Sequence, residues 1–187
     1  MTRRIEWVSE QRAAELGREF GILERQTQRG AFRTLANHPA LARPIYDIVS
    51  TLLKRNTLEI RLREMIVLRI AWRTRSEYQW YQHYLIAAGE AGLSGEEIVA
   101  VRDWRHASIL QPADRAVLAA VDDTIDRGGI SDAVWAECAR HIPEASVQVE
   151  MAVAIGYWIM LSQLFRTFRI PLQDGAEVWP PDGVGPA

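Results

Sequence analysis

The chain has 187 residues, of which 48% are hydrophobic and 25% charged, and its formal net charge is -2 at neutral pH. This length and composition are typical of a globular chain with one sizeable core. The small negative charge and a sequence pI of about 6.1 provide no general attraction to nucleic acid or to an anionic membrane surface, so we expect neither as a partner.

The chain contains a single cysteine, Cys138. It therefore cannot form an intrachain disulfide or a two-cysteine redox or metal site. His141 lies three residues further on, but two residues are too few for a site, so we expect no metal there. The longest apolar run, from Met151 to Leu161, is shorter than a membrane span, and the N-terminus lacks the apolar stretch of a signal peptide. We expect a cytoplasmic protein.

Helical periodicity dominates the chain, and no segment shows the alternation of a half-buried strand, so we predict an all-α fold. Eight helices are predicted. Six of them span about residues 10–28, 57–73, 76–91, 112–127, 131–142 and 144–169, and two more begin at about residues 39 and 94. The expected starting signals are Ser9, Pro39, Thr57, Ser131 and capping boxes at Ser76–Gln79 and Ser94–Glu97.

The last predicted helix is apolar on nearly all sides, which is typical of a helix at a bundle centre or in an oligomer interface. Residues 173–187 hold three glycines and three prolines and are predicted to be irregular. This tail either lies over a neighbouring subunit or frays. We expect one domain over residues 1–172, followed by the tail over 173–187.

Glu64 and His83 bracket a segment that is predicted to be a helix, a tight turn and the start of a second helix. On the second helix, Ser76, Gln79, Trp80 and His83 share one face. If the two helices pack antiparallel, the Glu64 carboxylate can reach the His83 imidazole. An acid and an imidazole in contact are sufficient for proton transfer without a metal.

The stretch from Leu62 to Val99 resembles the carboxymuconolactone decarboxylase and alkylhydroperoxidase-D-like family. The resemblance is carried by Leu62-Arg63-Glu64, by Arg75-Ser76-Glu77-Tyr78-Gln79-Trp80-Tyr81-Gln82-His83 and by Ala91-Gly92-Leu93-Ser94. The family's peroxidase branch has a glutamate, a cysteine pair spaced C-x-x-C and then a histidine. Here Glu64 and His83 match the outer residues, while Ser76 and Gln79 occupy the cysteine positions and Tyr78 the position of a histidine often found between them.

This resemblance implies an alkylhydroperoxidase-D-like bundle of about seven to eight helices, assembled as a homo-oligomer, either a trimer or a hexamer. The absence of the cysteine pair indicates the non-redox, decarboxylase-like branch and disfavours a thiol peroxidase. The implied activity is that of a cofactor-free carboxy-lyase acting on a small carboxylated lactone or unsaturated acid, as in aromatic catabolism.

In this interpretation His83 donates a proton, and Glu64 orients the His83 ring and favours its protonated form. Ser76, Gln79 and Trp80 line the pocket, and Arg61, Arg69 or Arg73 clamps a substrate carboxylate, with Arg61 and Arg73 retained as candidate ligands. Three alternatives stay open: an isomerase, a hydrolase on a similar substrate, and a non-enzymatic helical ligand-binding protein. A separate, purely structural alternative for Glu64 is an ion pair with Arg61, three residues earlier on the helix surface.

Overall fold

The computed structural model describes residues 2–187, and every regular element in that range is helical. The all-α prediction is confirmed. The helices are α1 (Glu10–Phe20), α2 (Glu24–Thr27), α3 (Gly30–Leu35), α4 (Pro39–Lys54), α5 (Ile60–Arg73), α6 (Glu77–Gly89), α7 (Gly95–Ala100), α8 (Pro112–Arg127), α9 (Asp132–His141) and α10 (Ala145–Phe168), with a short 3-10 helix at Val101–Asp103.

The chain divides into two compact units, which are described separately. The first contains residues up to 56 together with 164–176, and the second contains residues 57–163 and 177–187. Both predicted site residues, Glu64 and His83, lie in the second unit. The expectation of one domain over 1–172 with a separate tail over 173–187 stays a prediction.

In the first unit, the helix predicted over residues 10–28 is broken. Gly21 adopts φ 69°, and the backbone N–H groups of Gly21 and Ile22 donate to the carbonyls of Arg18 and Gly17. A left-handed residue at this position ends a helix, and glycine adopts it without steric cost. The prediction of one continuous helix was therefore wrong: α1 and α2 replace it, and α3 follows as a helix that was not predicted. Residues 2–187 thus hold ten α-helices where eight were predicted.

The predicted caps have mixed outcomes. Ser94 and Glu97 form the predicted capping box at α7. Ser76 precedes α6, but its hydroxyl makes no cap bond, so the capping box predicted there was wrong. Thr57 also does not cap α5, because its backbone N–H and its hydroxyl both donate to Glu150 Oε2, and the helix starts at Ile60.

Helix α5 lies at the centre of the second unit. Its ten consecutive residues from Leu62 to Ala71 are all buried, including the charged residues Arg63, Glu64 and Arg69. An unpaired buried charge is strongly destabilising, so each of these groups requires a partner. The partners come from α5 itself, α6 and α8, and they define the two polar clusters described below.

Helix α10 has one buried and one exposed face within the second unit. Met151, Ile155 and Trp158 are buried, whereas Val149 and Val153 are exposed. Among residues 2–187, α10 is the one helix long and apolar enough to cross a membrane by length and composition, a test that the core helix of a soluble protein also passes.

The C-terminal residues 177–187 pack on the second unit of their own chain. The Trp179 ring is buried, with its centroid 5.8 Å from those of Trp72 and Trp80. Arg102 donates two hydrogen bonds to Asp182, at 2.8 and 2.9 Å. The tail is irregular as predicted, but it folds onto its own chain, which differs from both the fraying tail and the arm over a neighbouring subunit.

Candidate acid-base site

Glu64 on α5 and His83 on α6 meet in the interior of the second unit. His83 Nδ1 lies 2.7 Å from Glu64 Oε2. The Glu64 side chain is fully buried, and His83 is 4% exposed. The helical hairpin thus brings together the two residues that the sequence paired, while their catalytic role stays a prediction.

A third charged residue, Arg63, completes this contact. Its Nε donates to the second carboxylate oxygen, Glu64 Oε1, at 2.8 Å, and the Arg63 side chain is also buried. Sequence reasoning gave Arg63 no role. The available signal was its position inside an apolar helical run, because a buried guanidinium must lie next to an anion.

The surroundings of Glu64 keep it ionised. Burial alone would raise the pKa of Glu64, but the charge and hydrogen bonds of His83 and Arg63 outweigh that effect, and the net direction is downward. An ionised carboxylate can only accept hydrogen bonds, so His83 carries a hydrogen on Nδ1. His83 Nε2 is therefore the ring atom available for exchanging a proton with a ligand.

Ser76 and Gln79 lie on the same face of α6 as His83, two turns and one turn before it. Both side chains are 1% exposed. The Gln79 amide nitrogen is 3.5 Å from the carbonyl oxygen of Val67, a long contact. Gln79 Oε1 and Ser76 Oγ have no hydrogen-bond partner within residues 2–187.

Trp158 on α10 also contacts the site. Its ring lies edge-on to the His83 imidazole, with centroids 4.4 Å apart and an interplanar angle of 79°. Trp158 is 4% exposed, and its indole nitrogen has no partner in the described part of the chain. Sequence reasoning missed Trp158, because a tryptophan in a long apolar helix carries no local signal that it contacts a histidine on a distant helix.

Trp80, which was predicted to contact substrate, has its polar atom occupied by the C-terminal residues. Its indole N–H donates to the carbonyl of Pro180 at 2.7 Å, and its ring packs against Trp72 and Trp179. The ring is completely buried. Its contribution to substrate binding stays a prediction.

The arginines predicted to clamp a carboxylate are all paired with acids. Arg61 donates two hydrogen bonds to Asp114 and a third to Glu97, and these contacts raise the pKa of the guanidinium. Arg73 lies nine residues after Glu64, roughly 13 Å along the helix axis. The structure joins neither arginine to the Glu64–His83 pair, and their substrate-binding roles stay predictions.

Arg69 and Arg73 instead form a second cluster around Asp122 on α8. Arg69 binds Asp122 through two hydrogen bonds of 2.8 and 2.9 Å, and Arg73 adds a third of 2.6 Å. Trp104 and Arg105 donate two more. Burial alone would raise the pKa of Asp122, but these donors lower it to about 2.

Cys138 lies outside both clusters, on α9. It is buried and donates to the carbonyl of Ala116 at 3.3 Å. Burial raises the pKa of the thiol to about 11, so it is protonated at neutral pH. Across residues 2–187, no three His, Cys, Asp or Glu side chains converge as metal ligands.

Solved structures with similar folds were identified at low sequence identity. A protein from Ralstonia eutropha JMP134, described as a peroxidase-related protein with an alkylhydroperoxidase AhpD core, is 18% identical, with a TM-score of 0.73 over 98% of this chain and 97% of its own. A cysteine-to-alanine variant of the debrominase Bmp8, solved with 2,3,4-tribromopyrrole, is 15% identical, with a TM-score of 0.74 over 93% and 94%.

A protein of unknown function from Agrobacterium tumefaciens, described as an AhpD-type antioxidant defence protein, is 22% identical, with a TM-score of 0.67 over 74% of this chain and 96% of its own. At these identities the similarity shows the fold alone. No curated protein matches the chain. Residues 39–123 match the carboxymuconolactone decarboxylase family. This segment contains Glu64 and His83, together with Ser76, Gln79 and Trp80 on the face that His83 shares.

The resemblance of the sequence to this family is thereby confirmed, while its assignment to the non-redox branch stays a prediction. The chain therefore adopts an alkylhydroperoxidase-D-like fold, and its segment 39–123 matches the carboxymuconolactone decarboxylase family.

Proposed function

We propose that this protein is an enzyme that moves protons at the Glu64–His83 pair and uses no thiol. The observation that carries this proposal is the 2.7 Å contact between the buried carboxylate and the imidazole, with Arg63 on the other carboxylate oxygen. The arrangement fixes which imidazole nitrogen exchanges a proton. The ring of Trp158, whose indole nitrogen has no partner among the described residues, contacts the same imidazole.

The reaction that we propose is loss of carbon dioxide from a small carboxylated lactone or unsaturated acid. The bond between the carboxylate and its neighbouring carbon breaks, carbon dioxide leaves, and the electron pair passes into the conjugated carbonyl as an enolate. Protonated His83 then gives its Nε2 proton to carbon, and the neutral imidazole regains a proton from solvent. Glu64 stays ionised throughout and stabilises the imidazolium.

Isomerisation is a second candidate, and the ion pairs of the arginines favour it. Arg61 and Arg73 are each already bound to two acids, so a substrate carboxylate would have to compete with them. An uncharged conjugated carbonyl compound requires no such clamp. Neutral His83 would remove a proton from carbon through Nε2 and return it at another carbon of the same enol.

The test is turnover of a panel of lactones and unsaturated acids in deuterated water, followed by NMR. Lyase activity releases carbon dioxide and places one deuterium on the product carbon, whereas isomerisation retains every carbon. We expect His83→Ala to abolish either signal. His106→Ala is the matched control, because His106 also pairs with an acid, Asp103, but at the surface. Unchanged turnover in His83→Ala would contradict the proposal.

We also propose that the protein is a cytoplasmic homo-oligomer, a trimer or a hexamer. Val149, Val153 and Met160 on α10 are 63%, 47% and 37% exposed and lie along one side of the helix, which supports a covered face. Light scattering should give a mass above that of one chain, and Val153→Glu should lower it. Leu85→Glu, at a similarly exposed leucine on α6, is the control. A monomer at micromolar concentration would contradict the proposal.

A further inference from the structure

Three polar atoms near His83 are buried without a hydrogen-bond partner among the described residues: Ser76 Oγ, Gln79 Oε1 and Trp158 Nε1. Their residues are 1%, 1% and 4% exposed. Buried polar groups in folded proteins are nearly always paired, because an unpaired one forfeits its interaction with water. Such atoms on residues that share a helix face with His83 or contact its ring indicate a position that a polar group of another molecule occupies.

Two residues of α10 contact the region of the chain that carries Ser76 and Gln79. Trp158 contacts His83, and Ser162, one turn later on α10, shares a hydrogen bond with Thr74, which lies just before the start of α6. These two contacts lie on either side of Ser76 and Gln79 in the sequence. Gln79 lies between those two contacts, on the face of α6 that carries His83.

The chemistry of the atoms defines what they bind. The Trp158 indole N–H can only donate a hydrogen bond, and Gln79 Oε1 can only accept one. The Gln79 amide nitrogen faces the Val67 carbonyl, so its oxygen points the other way. A hydroxyl group matches both atoms, since it accepts from Trp158 and donates to Gln79. A carboxylate can only accept and so does not match Gln79 Oε1, and the Arg63 guanidinium is already bound to Glu64.

We propose that Trp158 is a ligand-binding residue beside His83, and that it and Gln79 together bind one hydroxyl group, an enol or a phenol, of a small planar molecule. The indole N–H donates to the hydroxyl oxygen, and Gln79 Oε1 accepts the hydroxyl hydrogen. This inference rests on the proposed function, because it places the ligand at the Glu64–His83 pair. Decarboxylation and isomerisation of a conjugated carbonyl both pass through an enol. A donor already aimed at that oxygen stabilises its negative charge as it develops.

The experiment compares three probes of similar size: phenol, benzoate and toluene. Titrations are followed in the 1H–15N spectrum of the tryptophan indole groups, of which the chain has seven. Trp158→Phe identifies the Trp158 resonance and removes the donor while keeping an aromatic ring against His83. Trp135→Phe, at a partly exposed tryptophan on α9, is the matched control. Circular dichroism shows whether each variant is folded.

We expect phenol to shift the Trp158 resonance and to bind at least roughly tenfold more tightly than benzoate or toluene, the effect of one hydrogen bond at a buried site. Trp158→Phe and Gln79→Leu should remove this preference, and Trp135→Phe should not. Equal phenol affinity in Trp158→Phe would overturn the inference. So would tighter binding of benzoate, or a Trp158 resonance that no probe moves, which would indicate that only water occupies the position.

These outcomes are distinguishable from failure of the proposed function. Turnover that depends on His83, together with no phenol preference in the wild type or one that persists in Trp158→Phe, would overturn only the role of Trp158. An intact phenol preference in a protein whose turnover does not depend on His83 would overturn only the acid-base proposal.

Discussion

Helix α5 passes through two clusters of buried charge that differ in how completely they are paired. In the Asp122 cluster, both carboxylate oxygens accept hydrogen bonds from three arginines and the Trp104 indole. In the Glu64 cluster, the charged groups are paired, but the polar atoms beside them on Ser76, Gln79 and Trp158 have no partner among residues 2–187. Both clusters lie in the second unit, and both include residues of α5.

The difference separates a structural cluster from a functional one. Complete pairing offsets the cost of burying Asp122 and joins α5 to α8. Incomplete pairing near His83 leaves the chain less stable than an apolar core of the same shape would make it. Folds tolerate such a defect where a ligand binds. Each prediction below tests whether the two clusters differ in this way.

The largest effect on stability is expected at Asp122. Asp122→Asn leaves Arg69 buried without its anion, so the free energy of unfolding should fall by about 3–5 kcal/mol. Asp126→Asn is the control, because Asp126 is exposed and pairs with Arg73 at the surface; its removal should cost less than about 1 kcal/mol. Urea denaturation measures both. Equal losses would show that the Asp122 cluster contributes no more to stability than a surface ion pair does.

The same cluster predicts how stability depends on pH. The pKa of Asp122 is about 2 in the folded chain and 3.8 in its unperturbed state, so the folded chain binds its proton less readily. The associated stability is complete above about pH 4 and is lost as the pH falls toward 2, by about 2 kcal/mol. Denaturation curves between about pH 5 and pH 2 should show this fall in the wild type, and Asp122→Asn should reduce it. Parallel curves would contradict the assignment.

A smaller effect of opposite sign is expected at Gln79. Gln79→Met removes an unpaired buried oxygen and retains a side chain of similar length. The free energy of unfolding should equal that of the wild type or exceed it by up to about 1 kcal/mol, while ligand binding weakens. Gln148→Met is a suitable comparison, because the Gln148 amide donates to the Ile142 carbonyl and should lose stability. A clear loss in Gln79→Met would indicate that this oxygen is paired in solution.

The smallest effect is expected at Cys138. Its thiol is buried, paired and held protonated, and the family's cysteine positions are occupied by Ser76 and Gln79. Cys138→Ser should therefore leave turnover unchanged, and the wild type should not reduce an organic hydroperoxide with a dithiol. Robust peroxide reduction that is lost in Cys138→Ser would contradict the account.

The sequence predicts those parts of the molecule whose signals are local. Pro112 and Gly128 mark the ends of α8, which the structure places at Pro112–Arg127 as predicted. The contact between Glu64 and His83 could be predicted because a tight turn joins the two helices that carry them. The break at Gly21 was missed because the apolar periodicity continues through it.

The remaining features depend on contacts between residues far apart in sequence. Arg61 shares a helix face with Glu64, yet its guanidinium turns to Asp114, 53 residues later. Trp158 reaches His83 through the packing of α10, which no local pattern specifies. A buried charge requires a partner, but the sequence does not identify that partner. Only the folded structure does.

We propose that Glu64 and His83 act as one unit, and a double-mutant cycle on turnover tests this proposal. With a substrate from the panel described above, Glu64→Gln and His83→Ala should each lower kcat/KM by roughly a hundredfold or more. The double variant should lose little beyond either single variant, because removing one partner already disables the other. Losses that multiply in the double variant would show that the two residues act independently and would contradict the account.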